Sequence, residues 1–220
     1  MSGIQIVSFV TIICIAYYCL NDFKKFFLPK LIGDTPFQHF TFLTLLGLFL
    51  LWSAQAGVIE GLNVHFLGLT VITLIFGPRV AFILTVPVII GLIITGQIQP
   101  LNSGQYLLFS SLLPILISYS IFIVSFHYLP KNIFIFIFIA GFLNGAITGS
   151  VHLVLNTLLQ YFTHQYDWVI IKDNYLVLLP LLAFPEGLLN GMTAAILSVY
   201  RPEWLRLFSD KHYIYQQIKK

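Results

Sequence analysis

Charge is what this sequence has least of. Only 9% of its 220 residues are Asp, Glu, Lys or Arg, while 58% are hydrophobic; a soluble domain carries about a quarter charged residues. The shortfall excludes an ordinary solvated surface and marks an integral membrane protein. The count that matters is then how many ~20-residue apolar spans cross a hydrocarbon slab ~30 Å thick. The net charge of +3 is small and scattered. With no block of five or six like charges, nucleic acid is not an expected partner. Cysteine is scarce too: Cys14 and Cys19 both fall in the first apolar run, about 140° apart on a helical wheel, so neither a disulfide nor a CxxC metal site follows. Two methionines, one of them the initiator, leave no Met-lined copper path. A Gly-x-Ser-x-Gly elbow, a Walker A loop, a dinucleotide fingerprint, HExxH and a twin CxxC are all missing. No enzyme chemistry is expected, and active transport would need a separate energising partner. No Lys or Arg precedes the first apolar run and no small-x-small cleavage site follows it, so the N-terminus reads as a first transmembrane helix and not as a removable signal.

Apolar runs are what the chain has in abundance: residues 4–20, 40–58, 64–76, 80–95, 106–126, 132–162 and 175–200. The third covers only about 20 Å at 1.5 Å per residue, short enough for a re-entrant segment or a buried core helix. Loop charges provide an independent test. If all seven runs span with the N-terminus outside, ten of the eleven basic residues fall on the inner side and only Lys172 outside. Merging the third and fourth runs would destroy that sorting. The expectation is therefore an all-α integral membrane protein of seven transmembrane helices, with a short third/fourth hairpin turning at Gly77-Pro78-Arg79, N-out and C-in, in the inner membrane. Residues 1–200 form a single domain, and residues 201–220 a cytoplasmic amphipathic tail suited to the leaflet or to a partner. Residues 21–39 read as an inner-face loop. Gly141, Gly145 and Gly149, spaced every fourth residue, form a face for close helix packing.

Ionisable groups at membrane depth mark sites worth examining. Glu186 lies mid-way along the last run, after Pro185, with Asn190 four residues on and on the same helix face. That pair suits either a permeation path or an interhelical hydrogen-bond clamp. His152 shares a face with Thr148 and Asn156, and His65 opens the short third run with Glu60 and Asn63 just before it. Imidazole is a common ligand for nickel, cobalt, copper and zinc, and it also serves as a hydrogen-bonded packing group.

At residues 64–79 the chain reads VHFLGLTVITLIFGPR, which resembles the His-Leu-Leu-Gly…Leu-Leu-x-Gly-Pro motif of CbiM/NikM-like permeases, through His65, Gly68, Gly77 and Pro78. FPEGLLNGM and RPEW later in the chain look like a divergent branch of the same group. The resemblance implies the substrate-specific component of an energy-coupling-factor importer for cobalt or nickel, working in the bilayer with transmembrane and ATPase subunits. It implies a metal held through the histidine at position 65. The family's second-position histidine is Ser2 here, so His65 needs other partners, and His152, Glu60 and Glu186 are the candidates, with Asn156 and Asn190 as polar groups along the path. No resident cofactor is assigned; a transition-metal ion is expected as substrate. Two other readings stand beside this one: a membrane redox protein with His65 and His152 as axial haem ligands, and a non-catalytic assembly or scaffold subunit.

Overall fold

A computed structural model describes residues 3–57, 64–163 and 166–213. Within them the regular structure is all helical, as an apolar chain in lipid requires, because a helix satisfies its backbone internally. One isolated antiparallel bridge joins Ala56 and Val64. Among the described residues there are seven main helices. Helix α1 is Gly3–Asp22, continued through a wider π-helical turn, Phe23–Phe27, into Leu28–Gly33. Then come α2, Thr35–Ser53, the short α3, Leu69–Phe76, and α4, Pro78–Ile94. Helix α5 runs from Ser103–Leu107 through Leu108–Leu112 into Leu113–Tyr128, and α6 is Ile133–Phe162. Helix α7 is Leu179–Tyr200, preceded by a short helix at Trp168–Asn174. Among the described residues, five stretches are long and apolar enough to cross a membrane: Gln5–Gly33, Thr35–Ser53, Pro100–Tyr128, Ile133–Phe162 and Trp168–Tyr200; Pro78–Ile94 is a shorter apolar helix.

Two sequence expectations change. The stretch 21–39 is helical on both sides of a break at Asp34, whose carboxylate caps α2 through the Phe37 N–H at 3.2 Å. Lysine lowers hydropathy but is a good helix former, so Lys24, Lys25 and Lys30 ended the apolar run without ending the helix. The third run also starts later than expected. Residues 64–68 are non-helical and α3 begins at Leu69, because Gly68 is left-handed at φ 64° and the N–H groups of Leu67 and Gly68 are directed to a side chain of α7.

All eight residues of α3 are buried, so its unpaired end groups cannot turn to lipid or water and need partners within the fold. At the N-terminal end both carboxylate oxygens of Glu186 accept, from Leu67 N and from Gly68 N, each at 2.8 Å. Asn190 Oδ1 accepts from Val71 N at 2.8 Å, and the Asn190 amide donates to Glu186 Oε1 and to its backbone carbonyl. At the other end Gly77, at φ 77°, turns the chain into α4. The carbonyls of Leu74 and Ile75 accept from Leu207 N and Arg206 N, and the Phe76 carbonyl accepts from the Arg206 guanidinium at 3.3 Å.

Helices α6 and α7 touch almost backbone to backbone. A Cβ at Gly145 would stand 2.9 Å from Asn190 Cβ, one at Gly149 2.8 Å from Glu186 Cγ, and one at Gly191 2.8 Å from Phe142 Cβ. The stripe expected on α6 is therefore a packing face, met by Gly187 and Gly191 on α7.

Beyond α7 the chain folds back on its own bundle. Leu205, Phe208 and Tyr213 are buried, Trp204 stacks on Phe40 at 4.5 Å, and Phe208 packs against Phe136 and Tyr213. Burial pushes the Tyr213 phenol up to about 12. Basic groups gather at this end: Arg79 bonds Asp22 and the Tyr18 hydroxyl, Arg206 reaches the other oxygen of Asp22, and Lys30 donates to the Glu203 carbonyl. Truncating a buried phenylalanine costs about 3–5 kcal/mol. Phe208→Ala should accordingly release the tail, with trypsin cutting after Arg206 in the folded variant while the native protein resists.

Candidate substrate site

At the opposite end of the bundle the helices part around a cavity of about 710 Å³. Its wall is drawn from the start of α1, the segments after α2 and α4, the start of α5, the end of α6 and Tyr175 ahead of α7. Two histidines face it. His65 lies on the extended segment before α3 and His152 on α6; they are 5% and 3% exposed, and their ring centroids are 5.4 Å apart. Residues 87 positions apart in sequence are thus neighbours, because Glu186 pins the segment 67–68 against α7 while the glycine stripe draws α6 onto the same helix.

Hydrogen bonds assign the state of both rings. His65 Nδ1 lies 3.3 Å from the Phe66 carbonyl; a carbonyl only accepts, so Nδ1 carries the hydrogen and Nε2 accepts from the Tyr106 hydroxyl at 2.7 Å. His152 Nε2 lies 2.7 Å from the Asn156 amide nitrogen and 3.1 Å from Ser110 Oγ, so it accepts too. Both Nε2 lone pairs are occupied by neutral donors that can turn away, the condition a neutral imidazole needs to become a metal ligand. Trp52 fixes the background: its indole donates to the Leu67 carbonyl at 3.0 Å and packs 5.7 Å from His65 and 5.8 Å from Tyr106.

The structure brings together His65, His152 and Asn156 on the cavity wall. Glu186 and Asn190 are spent on the backbone of α3 and do not line the cavity, which is the clamp alternative for that pair. Glu60 and Asn63 lie outside the described residues. Among the described residues no group of three or more His, Cys, Asp or Glu side chains could hold a metal ion. Sequence reasoning missed Tyr106 and Ser110 as partners of the histidines; neither belongs to a motif, and only their spacing on α5 would have hinted that they share a face. It also missed the glutamines of the wall, which are dispersed along the whole chain.

The chain is thus a multi-pass helical membrane protein with a polar, histidine-bearing cavity at one end. The comparison with known families makes this specific: the chain belongs to the CbiM family, described as the cobalt uptake substrate-specific transmembrane region, whose model matches residues 5–204. It is thereby a membrane transport component of metal uptake. No curated protein and no solved structure matches it.

Proposed function

We propose that this chain is the substrate-binding permease subunit of a transition-metal uptake system, receiving its cargo in the cavity beside His65 and His152. The observation that carries the proposal is the meeting of two buried imidazoles, from separate segments of a CbiM-family chain, with both Nε2 lone pairs unprotonated in the wall of one cavity. In this reading all seven helices cross the inner membrane, with α3 and α4 as the short hairpin. The cavity end faces outward and the basic end faces the cytoplasm. Charge supports that orientation: Lys30, Arg79 and Arg206 gather at one end, and Lys172 sits on the short helix leading to Tyr175 of the cavity wall. A separate ATP-hydrolysing partner with its own transmembrane subunit supplies the energy. A haem held by the two histidines fits less well, since a porphyrin would have to lie between rings that are already in contact.

Elemental analysis tests the proposal. The protein is purified in lipid nanodiscs from cells grown with added nickel, cobalt, copper and zinc. The native chain should retain one of these metals in near-stoichiometric amount. The double variant His65→Ala/His152→Ala should retain at least about tenfold less, given that even outer-shell partners of a metal contribute 10–100-fold to affinity. A native protein free of metal, or a double variant holding as much as the native chain, overturns the proposal.

A further inference from the structure

Half of the cavity wall is amide. Six glutamines and two asparagines are among its sixteen lining residues, with the two histidines, Ser110, Thr163, Tyr106 and Tyr175 supplying most of the rest. Among the described residues no Asp, Glu, Lys or Arg side chain lines it. The glutamines come from α1, from the segment after α2, from the turn after α4, from α5 and from α6, so five separate segments contribute the same chemistry.

That wall is poorly matched to a bare dication and well matched to an organic molecule. A first-row metal ion takes four to six donors at roughly 2.0–2.3 Å, a shell far smaller than a cavity of about 710 Å³. Two imidazoles provide at most two of those donors, and neutral imidazoles provide no countercharge. A charge taken from water into a low-dielectric setting needs compensation close by. A carboxamide, by contrast, carries two donors and an acceptor without charge, the equipment for reading carboxylates, amines and hydroxyls on a ligand; Gln5 donates to Asn102, Gln55 to the Trp52 carbonyl and Asn156 to His152, and an entering ligand exchanges with such bonds. The volume lies inside the ~300–1,000 Å³ range of small-molecule sites.

Building on the metal-uptake reading, we infer that the cargo enters this site as a neutral complex, a divalent transition metal already wrapped by amino-acid-type chelators whose carboxylates cancel its charge. The amides then hold the organic shell. His65 and His152 lie on the cavity wall where their Nε2 atoms can accept from the chelator's N–H groups or complete the coordination of the metal.

Tryptophan fluorescence reads the outcome, because Trp52 packs against His65. The native protein in nanodiscs is titrated with three probes in a non-coordinating buffer: the metal chloride alone, L-histidine alone, and the metal with two equivalents of L-histidine. Nickel, cobalt, copper and zinc are each used. The bis(histidinato) complex of at least one metal should bind at least tenfold more tightly than that metal's chloride, and L-histidine alone should not bind. Gln97→Leu/Gln99→Leu, at exposed positions on the turn after α4, should weaken the complex about tenfold at unchanged melting temperature. If a chloride binds as tightly as its complex and the glutamine variant has no effect, the chelate inference fails and metal uptake stands. If L-histidine alone binds as tightly as the complex, or no metal binds in either form, both readings fall.

Discussion

Glu186→Ala is expected to dismantle the centre of the bundle although it substitutes no residue of the cavity wall. The substitution removes the acceptor for Leu67 N, for Gly68 N and for one hydrogen of the Asn190 amide. Each orphaned buried donor costs about 1–3 kcal/mol, and the void left by the side chain adds to that. A loss of several kcal/mol is comparable with the ~5–15 kcal/mol that keeps a typical domain folded. The variant should elute aggregated from size-exclusion chromatography, or melt far below the native protein. Glu186→Gln should fall between them. Its single oxygen can serve Gly68 or Leu67 but not both, and its NH2 then faces an N–H. A Glu186→Ala protein that stays monodisperse and melts with the native chain would refute the clamp.

The second large effect is steric. Gly191→Leu places a branched side chain where a Cβ alone already meets Phe142 Cβ at 2.8 Å and its Cα at 3.1 Å. Side-chain tips can move aside, but backbone held in a membrane helix cannot. The cost should exceed the ~1–3 kcal/mol typical of adding methylenes to a core, with separation of α6 from α7 and little folded protein recovered. Gly47→Leu on α2 provides the control, because nothing lies within 4 Å of its added Cβ; its yield and melting temperature should match the native protein. Equal recovery of both variants would mean that the two helices do not pack as described.

Much of this was legible from residues alone, and the reasons are local. Scarce charge and long apolar runs announce membrane helices, and the four-residue spacing of Gly141, Gly145 and Gly149 announces a close contact whichever helix supplies the other side. The Gly77-Pro78 breaker lies where α3 ends and α4 begins. The pairing of His65 with His152 was an inference from two isolated imidazoles, and the geometry brings them together. What could not be read is non-local. The start of α3 at Leu69 depends on a carboxylate more than a hundred residues away, so no window around residue 64 contains the cause. The amide wall is equally hidden: Gln5, Gln55, Gln97 and Gln160 have no common motif and meet only after folding. Lys24, Lys25 and Lys30 misled for the opposite reason, because a charge weakens a hydropathy signal without weakening a helix.

Helix α3 is fastened at both ends by one continuous piece of chain: Glu186 and Asn190 hold its N-terminal end, and the backbone of Arg206 and Leu207 holds its C-terminal end. A rod bracketed in this way has no free axial travel. Sliding it by a turn would break the fastenings at both ends at once, so α3, α7 and the folded-back tail must move as one rigid body if they move at all. Any rearrangement that opens a route from the cavity then occurs at the seams around that body, including those where the tail meets α2 through Trp204 on Phe40 and α6 through Phe208 on Phe136.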